Sequence, residues 1–250
     1  MQERILGWLE QGCDRVMDIR QFPLVEHLPA PLTIAHRGAW DRSIRENTLD
    51  AFTKAKVTGM DGIEFDVRFT RDGIPVVHHD ADLLRFHGSS TRIEDLTFEE
   101  LYARYPEIPA LKEVLCFGGL HFMIEIKTAL SEAELETLSD HLAGFHPARD
   151  YHLLTVNPDL VRITPDFPRR TWVLVGQLQL RTLVEISVAH GYAGVAGHYL
   201  GMTSSLVDRL HDHGQKAGVG FVPSTNLLNR ERARGIDWVF TNSAEKLRGG

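Results

Sequence analysis

The sequence predicts an α/β fold in which eight parallel strands close into a barrel with helices between them, the (β/α)8 or TIM barrel. Three observations predict it. Short apolar runs recur eight times in 250 residues, helix-capable segments separate them, and a composition of 43% hydrophobic and 24% charged residues is typical of a globular domain. Eight such units in this length favour a closed barrel over an open sheet. The runs begin near residues 32, 62, 121, 151, 171, 192, 217 and 237.

The segment before the first strand is predicted to be a helical leader. Residues 3–20 carry apolar side chains at loosely helical spacing, and three prolines between residues 23 and 31 exclude a long helix beyond them. We therefore expect one domain over residues 1–250, in which residues 1–31 pack on a barrel formed by residues 32–250.

The first strand, Leu32 to Ala35, ends in His36-Arg37-Gly38. In α/β folds the carboxyl ends of parallel strands commonly carry the functional side chains. Glu46-Asn47-Thr48 follows, and either Asn47 or Thr48 is expected to cap a helix from Leu49 to Val57 that Gly59 closes.

The second unit, residues 62–80, carries the strongest chemical signal. Residues 63–69 alternate, so that Glu64 and Asp66 leave one face of a strand while apolar side chains leave the other. A turn at Arg71-Asp72-Gly73, followed by the apolar run Ile74 to Val77, predicts a small hairpin over residues 70–78. The run is followed by His78-His79-Asp80. This pattern fits either a site that holds a hard cation and moves protons or a merely solvated strand face.

The remaining units follow in order. Residues 89–97 are polar and predicted to be a loop, and Thr97 to Glu100 form a capping box that opens a short helix. A helix is expected from Leu111 to Phe117, and the next strand, His121 to Ile126, is followed directly by Lys127. The later predicted strands are residues 151–156, 171–175, 192–196, 217–222 and 237–241, and the later predicted helices are residues 131–143, 158–163, 180–190, 203–213 and 226–234.

Charge and cysteine content exclude several classes of function. A net charge of −7 argues against a nucleic-acid or anionic-membrane surface, and no apolar run is long enough to span a bilayer. The first residues lack the pattern of a secretory signal, and the two cysteines, Cys13 and Cys116, form neither a disulfide framework nor a metal motif. We therefore predict a cytoplasmic protein with a small-molecule substrate and no stable membrane association. The pattern carries no indication of an oligomeric state.

Three neighbouring strands of the predicted barrel deliver polar side chains to its carboxyl end. The carboxylates are Glu64, Asp66 and Glu125, and such a set without cysteine favours Mg²⁺ or Ca²⁺ over Zn²⁺. Arginine and lysine beside a divalent cation suit a phosphate group. Two histidines at this end would suit a general base and a general acid.

The ordered motifs of this chain resemble those of the glycerophosphodiester phosphodiesterase family from about residue 33 to the end, more weakly after residue 150. The matching strings are His36-Arg37-Gly38, Glu46-Asn47-Thr48 with Ala51-Phe52, Gly62 to Val67, Thr70-x-Asp72-Gly73-x-Pro75-Val76-Val77, His79-Asp80 with Leu83 and Arg85, Ile108 to Leu111 with Glu113-Val114-Leu115, and Ile124 to Lys127. The resemblance implies a metal-dependent barrel enzyme that hydrolyses glycerophosphodiesters to sn-glycerol 3-phosphate and an alcohol.

The resemblance also implies roles for individual residues. His36 and His79 correspond to the catalytic acid and base, and His78 is the spare neighbour of His79. The metal ligands correspond to Glu64, Asp66 and Glu125, the phosphate contacts to Arg37 and Lys127, and a site glutamate to Glu46. In the family mechanism the glycerol 2-hydroxyl can attack phosphorus, and water then opens the cyclic phosphate.

One motif departs from the family pattern. The family's Trp-Thr-Val-Asn near the seventh strand is absent, and the corresponding segment, residues 218–226, offers Phe221 or no residue in place of the tryptophan. This departure concerns a wall of the substrate pocket rather than the metal chemistry. Trp40 is expected either to border the site or to cover the barrel mouth, and His198 is left without a role.

Two other functions compete with glycerophosphodiester hydrolysis. The same fold and histidine pair would serve a phosphodiesterase acting on a lysophospholipid or a phosphoinositide, which an apolar rim at the barrel mouth would favour. A barrel that binds a phosphodiester or a protein without turnover is the third hypothesis, and the full set of candidate catalytic residues argues against it.

Overall fold

The computed structural model describes residues 20–162, 164, 166–177 and 179–248. Within them the strands and helices follow in the order β1 (Leu32–His36), α1 (Leu49–Val57), β2 (Gly62–Phe69), β3 (Pro75–Val77), β4 (Asp82–Leu83), α2 (Leu84–His87), β5 (Ser89–Arg92), α3 (Phe98–Arg104), α4 (Leu111–Val114), β6 (His121–Ile126), α5 (Glu132–Leu142), β7 (Tyr151–Thr155), α6 (Pro158–Arg162), β8 (Trp172–Gly176), α7 (Leu180–His190), β9 (Gly194–His198), α8 (Ser204–His211), β10 (Lys216–Gly220), α9 (Thr225–Ala233), β11 (Trp238–Thr241) and α10 (Ala244–Arg248).

Eight of these strands close into a parallel barrel. Pairing runs from β1 through β2, β6, β7, β8, β9 and β10 to β11, which pairs again with β1. Ala35 on β1 is the register partner of both Ile63 on β2 and Thr241 on β11. The TIM barrel is therefore confirmed, and every barrel strand begins within two residues of its predicted start.

The barrel wall separates two layers of side chains. Ile63 and Phe65 face the helices, where the Phe65 ring lies 5.8 Å from that of Phe52 on α1. The opposite face of β2 carries Glu64 and Asp66, which are 2% and 0% exposed. The alternative of a solvated strand face is therefore wrong, because the polar face of this strand lies inside the barrel. Apolar side chains fill the barrel beneath it, among them Ile34, Met123, Leu154, Val173, Trp238 and Phe240.

An insertion between β2 and β6 carries the hairpin and a small core of its own. Pro75 on β3 pairs antiparallel with Phe69 on β2, as the predicted hairpin requires. The predicted loop at residues 89–97 is wrong in part, because β5 pairs with β4. This strand, Ser89 to Arg92, is short and polar and has no alternation of apolar residues that would predict it. Helix α4 ends at Val114 rather than at the predicted Phe117. The backbone N–H groups of Cys116 and Phe117 bond to carbonyl oxygens three residues earlier instead of four, and the chain then turns at Gly119, whose φ is 85°. The insertion's core consists of Val76, Leu83, Ile93, Leu96, Leu101 and Ile108.

The described part of the leader is an irregular strap held on α9. Asn226 Oδ1 accepts a hydrogen bond from Phe22 N at 2.8 Å, and Arg232 Nε donates to Leu28 O at 2.9 Å. Residues 20–31 thus contact α9 on the outside of the barrel. The helix predicted for residues 3–20, with Trp8 and Cys13, lies outside the described residues apart from Arg20. Across the described ranges, no helix has the length and apolarity needed to cross a bilayer.

Two histidines are joined at the amino-terminal end of the barrel. His121 Nε2 lies 2.8 Å from His152 Nδ1, and the His152 ring is 4.8 Å from the ring of Trp238. Burial lowers the pKa of His121 to about 4, and burial together with the nearby His121 lowers that of His152 to about 3. Both imidazoles are therefore neutral in the folded chain at pH 7.

We expect this pair to make the fold sensitive to acid. An unfolded histidine takes up a proton near pH 6.5, so the unfolded state binds more protons between that pH and the folded pKa. Stability is full above about pH 6.5 and falls as the pH drops, by about 1–2 kcal/mol at pH 5 for His152 alone. Urea titration of His152→Gln should show a smaller loss between pH 7 and pH 5 than wild type. His190→Gln, on the surface of α7, is the control, and an unchanged slope in His152→Gln would refute the assignment.

Candidate active site

The polar side chains predicted at three strand ends come together at the carboxyl end of the barrel. Pairing of β1 with β2 places His36 beside Glu64, and pairing of β2 with β6 places Asp66 beside Glu125. One carboxylate oxygen from each of Glu64, Asp66 and Glu125 lies within 4.8 Å of one from each of the others, and all three residues are buried. These three carboxylates form the acidic cluster.

The loop between β1 and α1 is shaped around the acidic cluster. Arg37 and Asn47 both adopt the left-handed backbone conformation, with φ of 59° and 57°, which costs a non-glycine residue about 1 kcal/mol or more. The Arg37 backbone N–H donates to Glu64 Oε2 at 3.0 Å, and Asn47 Nδ2 donates to Asp66 Oδ2 at 2.8 Å. Of the two predicted caps of α1, Thr48 is the one used, which leaves Asn47 for the cluster.

Two cations reach the acidic cluster. Lys127 Nζ lies 2.8 Å from both Asp66 Oδ1 and Glu125 Oε1. Arg37 Nε lies 3.5 Å from Asp66 Oδ2, and Arg37 Nη1 donates to Glu46 Oε1 at 2.8 Å. The structure thus brings Arg37, Lys127 and Glu46 to the cluster, as the motif order suggested.

The two histidines of the motifs also lie at the cluster. His36 Nδ1 is 2.7 Å from Asn242 Oδ1, and His36 Nε2 is 3.7 Å from Glu64 Oε2. His79 follows β3, its Nδ1 lies 2.7 Å from Asp80 Oδ1, and its ring interacts electrostatically with Asp66. Each imidazole therefore has a polar partner on Nδ1.

His78 points to the other side of the chain. It is buried in the insertion, with Nε2 3.3 Å from the Asp82 carbonyl oxygen and its ring 6.4 Å from that of His87. Successive side chains of extended backbone point to opposite faces, so only one of two adjacent histidines can face the cluster. That residue is His79, the one that the motif order selects.

Burial and mutual repulsion set the ionisation of the acidic cluster. Burial, with Asp66 and Glu125 nearby, raises the pKa of Glu64 well above its ordinary value, and burial also raises the pKa of Glu125. Burial opposes the ionisation of Asp66 too, but Lys127 and Arg37 outweigh it and hold its pKa below the usual range. Asp66 is thus the anionic centre of the cluster.

Burial and neighbouring cations act on the two histidines. Burial and the adjacent Arg37 lower the pKa of His36 to about 4. Burial likewise lowers the pKa of His79, against the attraction of Asp66. The imidazole of His36 is therefore neutral at pH 7 and available to accept a proton.

The residues of the acidic cluster fit a divalent cation. The three carboxylates lie close together and oppose one another's ionisation, and a divalent cation between them would remove that repulsion. Glu64 Oε1 is buried and has no hydrogen-bond partner among the described residues, as expected of an oxygen available to a cation. An all-oxygen donor set suits Mg²⁺ or Ca²⁺.

A cavity of about 820 Å³ opens over the cluster and has two unlike halves. Strands β1, β2 and β6 supply its charged half, which includes His36, Glu64 and Lys127. The later strands, the loops that follow them and helix α7 supply an apolar half, lined by Leu154, Val156, Val175, Leu183, Ala196, Phe221 and Phe240. The cavity can therefore take a molecule with an anionic part and a less polar part.

Aromatic rings border this cavity. Phe221, in a left-handed conformation with φ of 64°, places its ring edge-to-face with His36 at 5.9 Å. A phenylalanine therefore borders the site in the segment where the family pattern has tryptophan. Trp40 borders it as well, donating from Nε1 to the His36 carbonyl oxygen at 3.1 Å, and the His198 ring stacks on Phe221.

Three contacts at the site were not assigned from the sequence. The sequence indicates only a capping role for Asn47, whereas its side chain donates to Asp66. Asp80 was part of a motif without a role, and it joins His79 to Arg85. No motif points to Asn242, although its place directly after the last barrel strand is a usable signal.

The fold and the site together define a TIM-barrel protein whose candidate site suits a divalent cation and an anionic substrate. The chain belongs to the glycerophosphoryl diester phosphodiesterase family, whose sequence model matches residues 36–246.

Two curated relatives illustrate this membership. A glycerophosphodiester phosphodiesterase of Bacillus altitudinis is 28% identical over 243 residues, covering 85% of this chain and 94% of that protein. Glycerophosphodiester phosphodiesterase 1 of Bos taurus is 35% identical over 136 residues, covering 54% of this chain. The matched part is 39% of the bovine protein's length, so the chain spans less than half of that relative.

Solved structures agree with the barrel. The glycerophosphodiester phosphodiesterase of Thermotoga maritima matches with a TM-score of 0.71 and 25% identity, covering 88% of this chain and 97% of the other. A phosphodiesterase of Oleispira antarctica, solved in complex with the product sn-glycerol-3-phosphate, matches with a TM-score of 0.72 and 22% identity, covering 90% and 97%. These two likenesses support the fold.

Proposed function

We propose that this chain hydrolyses glycerophosphodiesters to sn-glycerol 3-phosphate and an alcohol, with a divalent cation held by the acidic cluster. The observation that carries the proposal is the buried acidic cluster, which lies in this family's barrel with the positively charged side chains of Arg37 and Lys127 and two imidazoles around it. When bound, the cation would neutralise charge on the phosphoryl oxygens and favour deprotonation of the attacking hydroxyl. The proposed ligands are Glu64, Asp66 and Glu125, and the proposed cation is Mg²⁺ or Ca²⁺.

The chain's own cations would bind and orient the phosphodiester. In the proposed complex Arg37 and Lys127 both contact the phosphate, an arrangement that suits a tetrahedral anion. Glu46 supports this geometry, because one of its oxygens accepts from both Arg37 and Arg85. It therefore fixes the guanidinium of Arg37 before a substrate arrives.

The two histidines would transfer the protons. The attacking hydroxyl loses a proton as its oxygen bonds to phosphorus, and the departing alcohol gains one as its P–O bond breaks. His36 and His79 are the proposed acid–base pair. His36, neutral at pH 7 because its pKa is lowered to about 4, would accept the first proton. His79, whose Nδ1 lies 2.7 Å from an Asp80 carboxylate that stabilises the imidazolium, would donate the second. With the glycerol 2-hydroxyl as the attacking group, water would then open the cyclic phosphate in a second step in which the two histidines exchange roles, and no covalent enzyme intermediate would form.

The test is a substrate panel crossed with a metal panel. Glycerophosphocholine, glycerophosphoethanolamine and glycerophosphoglycerol are incubated with Mg²⁺, Ca²⁺ or Mn²⁺, and sn-glycerol 3-phosphate is detected by a coupled assay. We expect release with at least one metal and its loss in EDTA. Release from none of these substrates with any of the three metals would refute the proposal, and tight binding of an unhydrolysed phosphodiester would then support a catalytically silent barrel.

A lysophospholipid is the second candidate substrate, and the apolar half of the cavity favours it. Val156 lines this half and is 57% exposed, so an apolar edge continues from the cavity to the surface. An acyl chain would lie against such an edge. Hydrolysis of lysophosphatidylcholine at a higher kcat/KM than glycerophosphocholine, reduced selectively by Val156→Asp, would establish it. Preference for glycerophosphocholine would exclude it, and weak vesicle binding would accord with the predicted cytoplasmic location.

A further inference from the structure

Closure of the barrel places Asn242 directly beside His36. Ala35 and Thr241 are register partners on β1 and β11, so the residues that follow them are neighbours although 206 positions separate them in the chain. Asn242 Oδ1 lies 2.7 Å from His36 Nδ1. A carbonyl oxygen only accepts hydrogen bonds, so Nδ1 must carry the proton in this contact.

The surroundings hold both partners in place. Thr241 is buried, and its Oγ1 donates to the Val222 carbonyl oxygen at 2.7 Å. Thr241 Oγ1 also accepts a hydrogen bond from Ser243 N at 2.9 Å. The His36 ring meets the Phe221 ring edge-to-face at 5.9 Å. With Nδ1 engaged by Asn242, Nε2 is the nitrogen that faces the acidic cluster, 3.7 Å from Glu64 Oε2.

The two histidines of the site thus have different partners. Asp80 offers a carboxylate to Nδ1 of His79, whereas Asn242 offers a neutral amide to Nδ1 of His36. A carboxylate stabilises the charged imidazolium, while an amide oxygen only selects one neutral tautomer. The structure therefore prepares His36 as a neutral imidazole with its lone pair on Nε2.

We propose that Asn242 is a positioning residue that holds His36 in the tautomer protonated on Nδ1, so that the Nε2 lone pair faces the cluster and accepts the proton of the attacking hydroxyl. The role in catalysis rests on the proposed function, whereas the tautomer does not. Asn242→Leu keeps the side-chain shape and removes the acceptor, and Asn242→Asp keeps an acceptor. Asn157→Leu is the matched control, because Asn157 follows barrel strand β7 and its Oδ1 accepts from Asp159 N on the surface.

The kinetic arm compares these three variants with wild type. We expect Asn242→Leu to lower kcat by about 10–100-fold, the range typical of residues that orient a catalytic side chain, with KM changed by less than about threefold. Asn242→Asp should regain most of the rate, and Asn157→Leu should keep it. A kcat of Asn242→Leu within twofold of wild type, or an equal loss in Asn157→Leu, would overturn the positioning role.

The spectroscopic arm needs no turnover. Nitrogen-15 NMR of histidine-labelled, metal-free protein near pH 8 distinguishes the two neutral tautomers, and a His36→Ala spectrum identifies the signals of His36. We expect the Nδ1–H tautomer in wild type and in Asn242→Asp, and a mixture in Asn242→Leu. An Nε2–H tautomer in wild type would overturn the inference even if the enzyme is active. If no substrate is turned over, the wild-type spectrum still decides which tautomer His36 adopts. If Asn242→Leu does not fold, the spectrum of Asn242→Asp still tests the assignment, and an Nε2–H tautomer in that variant would overturn it.

Discussion

His79→Ala is expected to lower kcat by about 10²–10⁴-fold while leaving metal affinity nearly unchanged, because a placed imidazole contributes that much to proton transfer. His79 interacts electrostatically with Asp66, but the candidate metal ligands are Glu64, Asp66 and Glu125, so the substitution removes none of them. Coupled detection of sn-glycerol 3-phosphate gives kcat, and calorimetric titration with Mg²⁺ or Ca²⁺ gives the affinity. His36→Ala should show a loss of the same order.

His78→Ala is the matched control for this prediction, since it removes the same side chain one position earlier. His78 contacts the Asp82 carbonyl oxygen inside the insertion, so its loss should cost some stability and far less rate. The double variant His36→Ala/His79→Ala should lose much less than the product of the single losses if the pair acts as a unit. An inactive His78→Ala beside a nearly normal His79→Ala would show that the proton-transfer residue has been placed one position too late.

The barrel could be predicted because each strand carries a local apolar signal. The largest offset is at β9, predicted from residue 192 and observed from Gly194, where glycines at 194 and 197 dilute that signal. Packing against neighbouring backbone favours both glycines, because a Cβ at Gly194 would overlap the Lys216 carbonyl oxygen and one at Gly197 would lie 2.8 Å from the Gly176 carbonyl oxygen. Strand β5 could not be predicted, because the sequence Ser89 to Arg92 is polar and has no periodic apolar pattern, and its strand conformation depends on pairing with β4.

The site could be predicted as far as its motifs reach along the chain. Glu64 and Asp66 were visible in the alternation of a single strand. The partnership of His36 with Asn242 was not visible, because it depends on the pairing of the first strand with the last. The left-handed conformations of Arg37 and Asn47 were hidden for a related reason, since they are held by contacts with β2 rather than by local propensity.

Glu64→Gln is expected to act in opposite directions on the metal-free and metal-loaded protein. Burial and the nearby carboxylates raise the pKa of Glu64 above its ordinary 4.5, so the unfolded state releases this proton more readily, and the group lowers stability as the pH rises above about 4.5. Glutamine removes that cost, so the metal-free variant should be at least as stable as wild type at pH 8. It also removes an oxygen ligand, so metal affinity should fall by about 100-fold or more, and activity with it.

Urea titrations with EDTA or with saturating Mg²⁺ or Ca²⁺ separate these two effects. Wild type should gain about 2.7 kcal/mol when the metal is at 100 times its dissociation constant, and Glu64→Gln should gain almost nothing at the same concentration. Glu132→Gln, on the exposed face of α5, controls for the loss of one negative charge and should gain as much as wild type. An undiminished metal-induced gain in Glu64→Gln, Asp66→Asn and Glu125→Gln alike would remove the acidic cluster as the metal site, whatever the activity of the wild-type enzyme.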